Sequence, residues 1–164
     1  MKNWKKILAG IIILVLAIQF IRPAKNISET ASLNNIDLRY PIPQNVQDIL
    51  AKACYDCHSN NTVYPRYNNI QPVGWWLKYH VNKGKKEINF NEFLSYRVAK
   101  QYKKLGKCIE EIKEGDMPLT SYTWVHKNAI LNAAEKEVLI TWFDRVRDTI
   151  RGNYPADSLI IKRK

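Results

Sequence analysis

The sequence predicts an all-α fold: one small helical domain preceded by a short apolar helix at the amino terminus. Three observations predict it. Apolar residues recur at helical spacing in successive segments of the 164-residue chain, and no run alternates with the period of two that marks a strand. The first 25 residues join a basic end to an apolar stretch unlike anything that follows. Finally, Cys54-Tyr55-Asp56-Cys57-His58 closes one of the helical stripes, so two thiols and an imidazole share one helix face. A chain of this length makes one domain. The sequence holds no internal repeat and no glycine-rich phosphate loop.

Residues 1–25 read as a signal anchor or a signal peptide. Lys2, Lys5 and Lys6 precede an apolar run over residues 7–21, broken only by Gln19 and closed by Arg22-Pro23. A full transmembrane helix needs about 20 apolar residues, so this run of 15 is short. Ile18-Gln19-Phe20-Ile21 is too bulky for signal cleavage, and no cysteine stands there for lipid attachment. An uncleaved anchor in the cytoplasmic membrane is therefore expected ahead of a cleaved peptide. The amino-side lysines favour a cytoplasmic start, which places the rest in the periplasm or outside. A buried core helix fits poorly, because residues 10–16 are apolar on every face.

The formal charge is +11, from 26 basic and 15 acidic residues. Five of the basic residues lie at or before Lys25 and the first acid is Glu29, which leaves 21 basic against 15 acidic residues beyond, a net +6. Such a surface suits redox partner proteins with acidic surfaces or an anionic membrane, and equally plain solvation. Export excludes nucleic acid as a partner.

Residues 26–43 read as a tether, with scattered Asn and Ser and a stop at Pro41-Ile42-Pro43. The domain proper is expected over 44–150. Its first helix begins near Gln44 or Asn45, with Val46, Leu50, Cys54 and Cys57 on one face. Residues 59–70 read as a loop. Pro72 starts a second helix, carrying Val73, Trp76, Leu77 and His80 at helical spacing, which Gly84 is expected to end. Asn89 or Asn91 caps a third, whose stripe is Leu94, Val98, Tyr102, Leu105, Ile109 and Ile112, with Gly106 as a place to bend and Gly115-Asp116 as its end. Asn132 followed by Glu135 predicts a capping box for the last helix, whose buried face is Leu139, Trp142, Phe143, Val146 and Ile150. Residues 151–164 form a basic tail.

C-x-x-C-H is the attachment signature of c-type haem. The thiols of Cys54 and Cys57 can add across two vinyl groups, and His58 can bind the iron. A structural zinc site needs four ligands, and Cys108 is the only other cysteine. A thioredoxin-like dithiol should follow a strand, and none precedes this motif. Cys108 reads as a small buried hydrophobe. The second axial ligand decides between an electron carrier and oxygen or peroxide chemistry. Met117 is the leading candidate: it stands between Gly115-Asp116 and Pro118, outside any helical stripe. His126 and His80 remain alternatives, and imidazole there would lower the potential. Trp75, Trp76, Tyr64 and Tyr67 are expected as a dry wall around the ring.

The motif and four further stretches resemble the small haem-binding domain family of bacterial envelope proteins, a class I cytochrome c-like group. The stretches are Tyr64-Pro65 with Tyr67, Ile70-Gln71-Pro72-Val73-Gly74-Trp75-Trp76-Leu77, Ile88-Asn89-Phe90, and Gly115-Asp116-Met117-Pro118. The resemblance spans residues 44 to 147. It implies an all-helical cytochrome c-like domain around one covalent haem c, with His58 proximal and Met117 distal. Arg66 departs from the pattern, where tryptophan is usual, and could pair with a haem propionate. The expected function is a non-enzymatic c-type cytochrome that transfers electrons at the outer face of the cytoplasmic membrane. The alternative is a haem peroxidase or a gas or redox sensor with an open distal site, in which His126 or His80 would serve as acid and base.

Overall fold

A computed structural model of the chain describes residues 2–161. Lys162-Arg163-Lys164, the end of the expected basic tail, lies outside them. The described chain is helical with no strand. Its helices are α1 (Lys2–Ile18), α2 (Gln44–Ala53), α3 (Tyr55–His58), α4 (Val73–Glu87), α5 (Val98–Glu114), α6 (Thr120–Thr123) and α7 (Ala133–Asn153), linked by short 3₁₀ turns.

The core forms where the stripes of α2, α5 and α7 meet. Val46, Ile49 and Leu50 of α2, Leu105, Ile109 and Ile112 of α5, and Leu139, Trp142, Phe143, Val146 and Ile150 of α7 share one hydrophobic core, in which α7 packs against both of the other helices. Each such buried side chain contributes about 1.5–3 kcal/mol relative to exposure. Phe90, from the turn after α4, stacks on Phe143 at 6.2 Å and 10°, so the core reaches toward the cysteine motif. The predicted capping box is present: Glu135 N–H donates to Asn132 Oδ1 at 2.9 Å, and Asn132 N–H donates to Glu135 Oε2 at 3.0 Å. Lys52 Nζ reaches Glu135 at 2.5 Å and ties α2 to the start of α7.

Several boundaries differ from the sequence expectation. The motif does not end one continuous helix. Cys54 is a joint with φ −127 and ψ −45 between α2 and α3. Helix α4 runs through Gly84 to Glu87, because Gly84 serves close packing rather than termination. The third helix begins at Val98, and Asn89 instead caps a separate 3₁₀ turn, Phe90–Ser95, by accepting from Asn91 N–H. Leu94 therefore lies outside the α5 stripe, and Gly106 does not interrupt that helix.

Residues 26–43 lie against the domain rather than hanging free of it. Ile36 and Tyr40 are core residues, and Trp142 Nε1–H donates to Pro41 O. Asn26 is buried and donates through Nδ2 to Ser59 O and Thr62 Oγ1, both at 3.0 Å, while its carbonyl accepts from Thr62 N–H. Helix α1 is exposed over residues 3–17. Among the described residues no helix is long and apolar enough to cross a membrane.

Candidate functional site

The cysteine motif sits at the junction of α2, α3 and α4. Cys57 and His58 N–H both donate to Cys54 O, at 3.1 and 2.9 Å, so the short α3 turn fixes the three side chains relative to one another. Helix α4 crosses α3 at Gly84. A Cβ added there would meet Cys57 O at 2.6 Å and Cys57 Cβ at 2.9 Å. Only glycine permits this approach.

Burial pushes the Cys54 thiol up to about 12 and the Cys57 thiol up to about 11. Both stay protonated near neutral pH. A redox-active dithiol needs a thiol that ionises easily, so the pair is poorly suited to that role. Cys108, beside Cys54 in the same cleft, is likewise raised to about 12 by burial. Among the described residues no group of three or more His, Cys, Asp or Glu could hold a metal ion.

His58 is aimed from behind. Its Nδ1 lies 3.0 Å from Ile88 O, and its ring packs edge-on to Phe90 at 6.4 Å. Ile88 is itself held by its N–H on Gly84 O at 2.9 Å. Burial lowers the imidazole pKa, against the opposing pull of the Ile88 and Gly84 carbonyls. The ring is therefore neutral near pH 7. Nδ1–H donates to Ile88, and Nε2 keeps the lone pair that a metal would take.

Met117 is positioned by the end of α5. Gly115 adopts φ +83, and the N–H groups of Gly115, Asp116 and Met117 converge on Glu111 O at 3.1, 3.0 and 3.2 Å. This left-handed cap satisfies the last turn of the helix and turns the chain back toward α3. Two clefts result, of about 90 and 110 Å³. Cys54, Cys108, Phe90 and Phe143 line the first; Cys57, His80, Gly84 and Tyr122 line the second; His58, Glu87 and Met117 line both.

A third cavity, of about 300 Å³, adjoins Cys57 and is lined by Tyr67, Trp76, His80, Tyr122 and His126. Tyr67 Oη and His126 Nε2 are 2.9 Å apart. Tyr122 stacks on His126 at 4.3 Å and 13°, and its hydroxyl donates to Asp56 Oδ2 at 2.7 Å. Burial and the Asp56 carboxylate both raise the Tyr122 phenol. Of the three candidates for a second axial ligand, Met117 borders both clefts with His58, and His80 borders one. His126 borders only the third cavity, with its Nε2 engaged.

The other expected site residues divide. Tyr67 and Trp76 line the third cavity. Trp75 is exposed and its Nε1–H donates to Ile21 O at 2.8 Å, so it braces the amino-terminal segment. Tyr64 accepts from Asn26 N–H. Arg66 is exposed on its 3₁₀ turn. Sequence reasoning missed Ile88 as the orienting carbonyl and Phe90 and Phe143 as cleft walls. Their signal was faint: Ile88-Asn89-Phe90 carries no reactive group.

A family model described as "Haem-binding domain" matches residues 13–145, a stretch that contains every residue of the clefts. No curated protein and no solved structure matches the chain.

Proposed function

The chain belongs to the haem-binding domain family, and on that premise we propose that it is a c-type cytochrome that carries one covalent haem and passes electrons at the outer face of the cytoplasmic membrane. One observation carries the reading: His58 and Met117 share the walls of two clefts into which Cys54 and Cys57 separately open. The residues present fit the group. Two protonated thiols on one turn suit thioether formation, a neutral imidazole offers Nε2, and the Met117 thioether lines the same two clefts. Bound haem would supply a one-electron ferric–ferrous couple.

Each side chain then has a task. Ile88 O holds the His58 ring and raises its basicity through Nδ1. Gly115 and Glu111 hold Met117 in reach. Phe90 and Phe143 exclude water, which favours the less charged ferrous state and raises the potential. Lys104 and Lys107 stand at the wall of the first cleft and suit a brief encounter with an acidic redox partner.

The membrane assignment draws on α1. It carries Trp4, Lys5 and Lys6 at one end and an exposed apolar body. A short span is accommodated by local bilayer thinning and by flanking side chains that reach the interface. Retention is supported by a clasp just beyond the helix: Gln19 Nε2 donates to Gln71 O at 3.1 Å, and Gln71 N–H donates to Gln19 Oε1 at 2.8 Å.

A second reading, a haem peroxidase or a gas sensor, draws on the third cavity, where His126 and Tyr122 could manage protons beside Cys57. Absorption and electron paramagnetic resonance spectra of the wild type and Met117→Ala decide between them. The carrier reading expects a low-spin wild type that does not bind carbon monoxide when reduced, and a Met117→Ala variant that is high-spin and does. A wild type that is high-spin, or whose spectrum Met117→Ala leaves unchanged, refutes Met117 as ligand. Haem that washes out under denaturing conditions refutes covalent attachment.

A further inference from the structure

We propose that the aromatic face of α4 docks on the headgroup region of an anionic phospholipid bilayer, so that the haem domain is held flat against the membrane rather than swinging from it. The inference rests on the reading of α1 as a membrane anchor and deepens it.

The face is continuous. Trp75, Trp76, Tyr79, Lys83 and Lys86 follow one another by one, three, four and three residues, which places them on one side of the helix. Trp75, Trp76 and Tyr79 are 36, 45 and 60 % exposed, and both lysines are exposed. Ile70 and Val73 extend the patch at its start. A soluble surface rarely groups so many large apolar side chains. Tryptophan and tyrosine at one end of a helix and lysine at the other match the side chains that settle at the bilayer–water interface.

The patch lies where α1 meets the domain. Gln71, buried at 3 % exposure, exchanges hydrogen bonds with Gln19, and Trp75 binds Ile21 O. The exit of the anchor is thus fixed at the first turn of α4. Little slack intervenes, because Asn26 is already buried in the domain. An apolar run of only 15 residues, broken by Gln19, draws its flanks toward the interface. Arg22, Lys25, Lys83 and Lys86 supply the charge that anionic headgroups attract.

The test is hydroxyl-radical footprinting of the full-length, haem-loaded protein, read by mass spectrometry. The protein is placed in phosphatidylcholine–phosphatidylglycerol vesicles and, separately, in neutral detergent micelles. Labelling of Trp75, Trp76 and Tyr79, normalised to Tyr154 at the far end of α7, should fall at least about threefold in the vesicles, as expected for rings that leave water for the interface. Lys83→Glu/Lys86→Glu should restore part of the labelling. Equal labelling in vesicles and micelles overturns the docking. Flotation after alkaline carbonate washing reads the anchor separately. Protein that floats but labels equally keeps the anchor and loses the docking. Protein that is washed off yet is protected on vesicles before the wash keeps the docking and loses the anchor.

Discussion

Gly84→Ala tests the central contact of the site. The added Cβ would stand 2.6 Å from Cys57 O, against the 3.4 Å at which ordinary contact begins. The difference, roughly 0.8 Å, must come from parting α3 and α4, since the obstructing atoms are backbone and Cβ rather than a flexible side-chain tip. Overpacking of this kind costs about 1–3 kcal/mol. Alanine in place of glycine inside a helix returns up to about 1 kcal/mol. With that return taken in full, the net loss is up to about 2 kcal/mol, or a fall in Tm of up to about 8 °C for a chain of this size. The same movement carries Ile88, whose N–H binds Gly84 O and whose carbonyl holds His58. Covalent haem yield, read by in-gel haem staining, should therefore fall along with the Tm. Gly106→Ala is the control: the nearest atoms to its Cβ would be those of the Arg147 guanidinium, at 3.5 Å and so in ordinary contact, and it should gain up to about 1 kcal/mol. If Gly84→Ala unfolds no earlier than Gly106→Ala, the close approach is not what glycine provides there.

Glu135→Ala removes both the Lys52 ion pair and half of the capping box, and urea unfolding at pH 7 should show a loss of about 1 kcal/mol. The Lys52 hydrogen bond, with the Asn132 N–H beside it, holds the Glu135 carboxyl below its ordinary value. The wild-type advantage should therefore be full above the ordinary carboxylate pKa of about 4.3 and disappear as pH falls below it; an advantage that persists in acid contradicts the pairing. Asn26→Ala strands the Ser59 carbonyl and frees residues 26–43. A loss of about 1–3 kcal/mol is expected, together with faster limited proteolysis within that segment; unchanged cleavage would mean the segment is held otherwise. Gly115→Ala forces a side chain into the left-handed region at a cost of about 1 kcal/mol. Carbon monoxide binding to the reduced protein should then rise, because Met117 is aimed by that cap, and unchanged binding would detach the cap from the ligand.

Much of the fold was legible because helix stripes are local. The α5 and α7 faces and the Asn132–Glu135 cap needed only i, i+3 and i+4 neighbours. What failed were residues whose role is set by a partner far along the chain. A glycine that ends a helix and a glycine that admits another helix look alike in sequence, and only the position of Cys57 distinguishes them at Gly84. Residues 26–43 have the polar composition of a linker, yet Ile36 and Tyr40, four apart, enter the core. The motif announced Cys54, Cys57 and His58 directly. Nothing in it announced Ile88, since a backbone carbonyl carries no residue-type signal. Trp75 was misplaced for a related reason: aromatic residues near a haem motif suggest a pocket wall, and its indole N–H binds Ile21 instead.

Burial, more than charge, sets the chemistry of the site. It raises both motif thiols and lowers the imidazole, so all three groups are neutral in the folded chain. That neutrality has two consequences from one cause. Before a haem is attached, the thiols resist ionisation and hence disulfide exchange, which proceeds through the thiolate. With a haem attached as proposed, the same dry walls of Phe90 and Phe143 would disfavour ferric charge and hold the potential up. The charged residues lie at the rim, where Lys107 pairs with Glu87 at 3.3 Å and approaches Glu111 at 3.8 Å. Those pairs are half-exposed and of little worth to stability. On the proposed carrier reading, their position at the mouth suits recognition: a passing acidic partner would compete with Glu87 and Glu111 for Lys107, while the buried half of the site would keep its chemistry unchanged.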